Sequence, residues 1–275
     1  MHVDQFSVPV DTRAPTGQTN AYVVVGPAAD RDRHSAAGDA DSAAETETLL
    51  VDPAARTDTL DTVVREKGVD HVAVTHAHPD HVGAVADYAR ESGATVWARR
   101  GREDRFRDAA GVAPDRTFAE GDRVGPATVL DTPGHAPDHV CFAVANRILC
   151  GDVAVADGSV AVAAPEGRLR AYLTALRRLH ARNPAALYPG HGPRIDDAQV
   201  TCARLIRHRL DREASVLDAV RAGATDPDAV VDAAYDADLT GVRDLARATA
   251  VAHIEKLAWD GLVEWDAAAE RVTPR

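Results

Sequence analysis

Residues 75–81 read Thr75-His76-Ala77-His78-Pro79-Asp80-His81. Three imidazoles and a carboxylate so close together cannot all be core residues, because each would need its own polar partner once buried. They follow the alternating valines of Val69–Thr75, which read as a buried strand, and a turn around Pro79 leads into a helix near 81–92 that stops at Gly93. A strand alternates its side chains, so His76 and His78 face one way, and the turn lets Asp80 and His81 reach a second point nearby. Imidazole and carboxylate are the ligands that suit zinc and similar divalent ions.

The same logic finds further candidates downstream. Thr132-Pro133-Gly134-His135 puts a histidine after a Pro-Gly turn, Cys150-Gly151-Asp152 puts a carboxylate directly after a strand, and Pro189-Gly190-His191-Gly192 repeats the strand-then-Gly-His arrangement. Each lies at a strand end beside glycines that allow close backbone approach. Asp52 and Thr75 are candidates to orient the imidazoles, with a capping or turn role as the alternative. His139 reads as a proton shuttle, a substrate contact or a surface-loop histidine.

The remaining pattern supplies the frame. Strands are expected at 20–25, 48–52, 95–98 and 186–189, with two short ones within 117–131 and a hairpin of 140–144 with 147–150. Helices are expected at 56–67 and at 167–182, the latter with the stripe Leu169, Tyr172, Leu173, Leu176 and Leu179. Residues 27–47 are Ala, Asp, Ser, Gly and Glu with little to bury, and read as a solvated insertion, with a lid as the alternative. After about residue 196 come helices at 197–222, 226–235 and 239–259, then a hairpin of 262–265 with 271–273. That order is the order of a winged helix. The expected division is residues 1–200 as one domain and 201–275 as a second, smaller one.

The ordered set His76, His78, Asp80, His81, then His135, Asp152 and His191 resembles the metallo-β-lactamase superfamily. The resemblance implies an α+β fold, a four-layer αββα sandwich with a small C-terminal winged-helix-like domain. It implies two divalent ions, zinc first, with Mn2+ or Fe2+ as alternatives. His76, His78 and His135 would hold one ion, Asp80, His81 and His191 the other, and Asp152 would bridge them. The nucleophile would be a hydroxide bridging ions about 3.5–4 Å apart, with Asp152 and Asp80 as catalytic residues. Asp152 stands where class B lactamases commonly place a cysteine, which argues against antibiotic hydrolysis. Asp80 in place of Glu argues against the flavo-diiron branch, and the short span from His135 to Asp152 leaves no room for the extra domain of β-CASP nucleases.

Gly190-His191-Gly192-Pro193, His208-Arg209-Leu210-Asp211-Arg212-Glu213 and Ala252-His253-Ile254-Glu255-Lys256-Leu257 resemble the branch containing β-lactamase-like protein 2. That branch implies an endoribonuclease acting on single-stranded RNA, with Arg243, Arg247, Lys256, Arg209 and Arg212 as binding cations. The alternative is a glyoxalase II-like hydrolase of a small ester or thioester. A metal-sensing DNA-binding regulator is disfavoured because the seven-ligand set is complete.

Composition limits these readings. Of 275 residues, 45% are hydrophobic, which argues against disorder. The formal charge of -12 argues against a nucleic-acid binder driven by overall positive charge. Lys67 and Lys256 are the sole lysines beside many arginines. Acids spread along the whole chain fit adaptation to high salt, where the Debye length is about 3 Å at 1 M, better than a surface tailored to one basic partner. The acidic, Lys-poor, Ala-rich composition resembles proteins of salt-loving archaea. Cys141, Cys150 and Cys202 are too few for a disulfide framework and fit a reducing cytoplasm. With no signal-like N-terminus and no apolar run of membrane length, a soluble cytoplasmic protein is expected.

Overall fold

The computed structural model describes residues 1–28, 46–236 and 238–275. The insertion expected at 27–47 lies, apart from its two ends, outside the described residues. The chain divides into two compact units.

The first unit comprises Met1–Asp131, Asp138–Ala156 and Pro184–Asp196. Its first sheet is built from β1 (His2–Pro9), β2 (Gln18–Pro27), β3 (Thr46–Val51), β4 (His71–Ala73), β5 (Thr95–Arg99) and β6 (Arg116–Phe118), in that order. β1, β2 and β3 are antiparallel; from β3 onward the strands are parallel. Parallel neighbours need crossovers, and helices supply them: α1 (Asp58–Lys67), the pair α2 (Pro79–Val82) and α3 (Val85–Ser92), and α4 (Glu103–Ala110). The second sheet runs β11-β10-β9-β8-β7, with β7 (Arg123–Val124), β8 (Ala127–Asp131), β9 (Val140–Val144), β10 (Arg147–Gly151) and β11 (Ala186–Pro189).

The period-2 alternation of a strand divides the core into two layers. Val23, Leu50, Val72 and Val96 face one way and pack with Leu60, Val64, Val85, Tyr88 and Phe106 of the helices. Their neighbours Tyr22, Val24, Leu49, Val51 and Ala73 face the other way and pack with Val129, Val140, Phe142, Val144 and Leu149 of the second sheet. Two edge-to-face pairs cross between the sheets, Tyr22 with Tyr188 and Phe118 with Phe142, each with centroids 5.8 Å apart. The first sheet is therefore buried on both faces, which is why its strands read as near-continuous apolar runs.

Four features differ from the sequence reading. β1 and α4 have no counterpart in it. The stretch expected to hold two strands, 117–131, contributes to three, β6, β7 and β8, and they fall in different sheets. The helix expected near 81–92 is interrupted between α2 and α3. There a Cβ at Gly83 would lie 2.4 Å from the Ala54 carbonyl oxygen, and the Ala84 amide donates to the Pro53 carbonyl at 2.8 Å. A close approach of the 53–54 loop, not a local propensity, sets that break.

The second unit comprises Thr132–Pro137, Asp157–Asn183 and Asp197–Arg275. It holds α5 (Leu169–Arg182), α6 (Ala198–Arg221), α7 (Pro227–Ala234), α8 (Arg243–Trp259) and the antiparallel hairpin β12 (Val263–Asp266) with β13 (Arg271–Pro274). The expected stripe of α5 is buried throughout. Asp197 and Asp226 cap α6 and α7 by accepting from Val200 and Ala229 amides, as side chains at N-caps do. Val216, Val220, Val230, Val231, Ala250, Ile254, Leu257, Val263 and Val272 form a core of their own. All three cysteines are buried and none is in a disulfide. Among the described residues no helix is long and apolar enough to cross a membrane.

Candidate metal centre

In the first unit, the polar residues gather at one set of strand ends. Asp52 follows β3, Thr75–His81 follow β4, Asp152 follows β10 and Gly190–His191 follow β11.

Asp52 is fully buried and is the anchor of the group. Its Oδ1 accepts from the Thr75 amide at 2.6 Å, and its Oδ2 accepts from Thr75 Oγ1 at 2.8 Å and lies 3.1 Å from His81 Nδ1. A carboxylate can only accept here, so His81 carries its proton on Nδ1 and turns Nε2 the other way. That Nε2 is buried, makes no hydrogen bond and lies 3.8 Å from Asp152 Oδ1. His191 is arranged alike. Its Nδ1 donates to the Gln18 carbonyl at 2.8 Å, and its Nε2 lies 3.4 Å from Asp152 Oδ2 and 3.6 Å from Asp80 Oδ2. Asp80 Oδ2 in turn accepts from Thr12 Oγ1 at 2.5 Å. His76 Nε2 and His78 Nδ1 converge to 2.9 Å.

The electrostatics favour a cation. Burial alone would suppress charge on His81, but the carboxylates of Asp52, Asp152 and Asp80 outweigh it and push its pKa up to about 9. Burial likewise opposes charge on His191, and its hydrogen bond and attraction to Asp152 raise its pKa nonetheless. Two sets of ligand atoms, from His76, His81 and Asp152 and from Asp80, His81 and His191, each lie within 4.8 Å of one another. A buried imidazole nitrogen with no hydrogen bond, carboxylates beside it and fixed tautomers fit a divalent ion.

Glycine makes this convergence possible. A Cβ at Gly190 would sit 2.4 Å from Asp152 Oδ1 and 2.8 Å from His81 Cε1. The loop is also held from β2: the Asn20 amide donates to the Gly190 carbonyl at 2.7 Å, and Asn20 Nδ2 donates to the Pro189 and Gly192 carbonyls at 2.9 and 2.8 Å.

Of the seven expected ligands, His76, His78, Asp80, His81, Asp152 and His191 lie in the first unit. His135 belongs to the second, on the loop Thr132–Pro137, where its Nδ1 donates to the Ala161 carbonyl at 2.7 Å. His139 is not a surface-loop residue: it is fully buried, and its Nε2 accepts from the Asp152 amide at 3.0 Å. That contact gives it a holding role, not an exposed one. Thr12, Asn20 and Asp138 are missed by sequence reasoning. Only Asp138, beside His135 and His139 in the sequence, carries any local signal.

Comparison with known proteins agrees with this geometry. The model of the metallo-beta-lactamase superfamily matches residues 43–191, more than half of the chain. An atrochrysone carboxyl ACP thioesterase of Emericella nidulans is 31% identical over 170 residues, which is 58% of this chain and 51% of that protein. A beta-lactamase-like protein 2 homolog of Caenorhabditis elegans is 26% identical over 211 residues, 71% of this chain and 67% of that protein. The chain spans about half the length of most of the curated relatives it matches. The crystal structure of a metallo-beta-lactamase family protein from Thermus thermophilus superposes with a TM-score of 0.75 at 22% identity, covering 99% of this chain and 98% of that one. This chain belongs to the metallo-beta-lactamase superfamily and has its mixed α+β fold.

Proposed function

We propose that the protein is a metal-dependent hydrolase of a small ester or thioester. One ion would be held by His76, His78 and His135, the other by Asp80, His81 and His191, with Asp152 shared; zinc is the first choice, Mn2+ or Fe2+ the alternatives. The observation that carries the reading is the pair His81 and His191. Each spends its Nδ1 proton on a fixed oxygen and turns Nε2 toward the carboxylates of Asp152 and Asp80.

Two such ions, when bound, polarise the scissile group and make water acidic enough to attack at neutral pH. The chain's own residues do the rest. Asp52 and Thr75 hold His81 and the loop that begins at His76 in one orientation. Asp80, steadied by Thr12, offers its second oxygen to orient the attacking water. No side-chain nucleophile is required.

Hydrolysis of single-stranded RNA is the second reading; it rests on the sequence resemblance to the branch containing β-lactamase-like protein 2. The cations expected to contact RNA favour the small substrate. Arg243 pairs with Asp232 at 2.7 Å, Arg247 with Asp228 and Glu270 at 3.0 and 2.6 Å, and Lys256 with Glu213 and Asp260 at 2.9 and 2.7 Å. Arg209 and Arg212 donate to the Val160 and Ala234 carbonyls. We further propose that residues 201–275 are an accessory winged-helix-like domain, and that the acidic surface suits a salt-rich cytoplasm.

The test offers zinc- or manganese-loaded protein in molar salt an acyl thioester, such as S-lactoylglutathione, beside single-stranded RNA. Thioester turnover that disappears in His76→Ala and Asp152→Ala supports the proposal. RNA cleavage with the thioester intact replaces it with the second reading.

A further inference from the structure

We propose that Asp138 and His139, consecutive residues at the entry to β9, are positioning residues that tie the His76–His78 loop to the Asp152 loop. The inference rests on the metal-centre reading above, and the closing experiment separates the two.

The two loops come from different sheets: one follows β4, the other follows β10. Neither sheet's ladder fixes the distance between them. The segment 138–140 does. The Val140 amide donates to the Thr75 carbonyl at 2.8 Å. Asp138, buried, accepts on Oδ2 from the Ala77 amide at 2.8 Å, the N–H of the peptide that links His76 to Ala77. Its Oδ1 accepts from Arg105 Nε of α4 at 3.0 Å, which holds the carboxylate in place. Asp138 therefore grips the first loop at its centre.

His139 grips the second. Its Nε2 accepts from the Asp152 amide at 3.0 Å, which requires the ring proton on Nδ1. The same ring lies 5.1 Å from the His76 ring at an interplanar angle of 33°. A Cβ at Gly151 would come within 2.7 Å of both His139 Nε2 and Thr75 Oγ1, so the segments meet with no room for a side chain. One dipeptide thus touches a peptide group of each loop and one imidazole directly. Sites of this kind need ligands within about 0.5 Å of their productive positions. Outer partners of ligands typically contribute about 10–100-fold in metal affinity.

The test uses the full chain, stripped with chelator, and measures zinc affinity by competition with a chromophoric chelator. Circular dichroism and thermal melting of the stripped protein are recorded alongside. His139→Phe keeps a ring against His76 but removes the acceptor for the Asp152 amide. His139→Gln restores an acceptor. The expected result is a loss of about 10–100-fold in affinity for His139→Phe, with the melting of the stripped protein little changed, and recovery of most of it in His139→Gln. Co2+ absorption should change in the Phe variant and return toward wild type in the Gln variant. Wild-type affinity in folded His139→Phe, or no recovery in His139→Gln, overturns the proposal. If His139→Phe does not fold, Asp138→Asn decides. It keeps an acceptor for Ala77 but sets an amide against Arg105, and a several-fold loss of affinity supports the proposal where wild-type affinity overturns it. A wild-type protein that takes up no zinc overturns the metal-centre reading itself before any variant is compared.

Discussion

Asp52→Asn probes the site at a single atom. The carboxylate accepts three hydrogen bonds, from the Thr75 amide, from Thr75 Oγ1 and from His81 Nδ1. An asparagine has one acceptor oxygen. With that oxygen on the Thr75 amide, its NH2 faces His81 and forces the imidazole proton onto Nε2, the nitrogen turned toward Asp152. With the amide flipped, NH2 faces the Thr75 N–H, and a buried donor loses its partner. Either way one charge-assisted bond, worth about 1.5–3 kcal/mol, is lost. An outer partner of a ligand contributes about 10–100-fold in affinity, which is about 1.4–2.7 kcal/mol; the two magnitudes agree. The assay is zinc competition starting from stripped protein, with long-range 1H–15N correlation of the imidazoles in the zinc-loaded protein to read which nitrogen keeps its proton. A variant that keeps His81 as the Nδ1–H tautomer and binds zinc with wild-type affinity would refute the claim that Asp52 sets the ligating nitrogen.

Three further outcomes are expected. Gly190→Ala should fold but lose zinc affinity, since its Cβ would overlap Asp152 Oδ1 and His81 Cε1; unchanged zinc titration counts against the close approach. Phe142→Ala, which empties the contact between the two sheets, should cost about 3–5 kcal/mol in urea unfolding, and a cost below about 1 kcal/mol contradicts the packing. His253, fully buried with neither ring nitrogen hydrogen-bonded, has its pKa lowered to about 3, by burial first and then by Arg209, Arg212 and Lys256. Its folded pKa lies below the unfolded value of about 6.5, so its contribution is complete above pH 6.5 and is lost as pH falls toward 3, at up to about 1.4 kcal/mol per pH unit. His253→Leu should flatten that part of the stability profile, and an unchanged slope would assign the acid loss to other groups.

What the sequence makes legible is local. Thr75–His81 declares itself by density of ligand types, and Asp52 and Thr75 by their places at strand ends. The α5 stripe follows from periodicity, and the hairpin of β9 and β10 from two short apolar runs around a turn at Asn146. What stays hidden depends on distant chain. β1 has no strict alternation in His2–Pro9. α4 buries only Phe106 and Ala110 among charged neighbours, so it offers no stripe wide enough to read. The break after α2 is imposed by the Ala54 carbonyl. Asp138 gains meaning only through Arg105, brought from another helix, and Ala77, from the metal loop. His139 reads like a loop residue because nothing in its neighbours announces the Asp152 amide it meets. Thr12 reaches Asp80 across a loop that pattern reading does not connect to the site.

The most direct test of the account is the number of ions bound. Chelator-stripped protein titrated with zinc, with metal content measured after desalting, should take up two ions per chain, and His76→Ala and His191→Ala should each reduce that number. Uptake of clearly fewer than two ions by the wild-type chain would contradict the two-metal hydrolase.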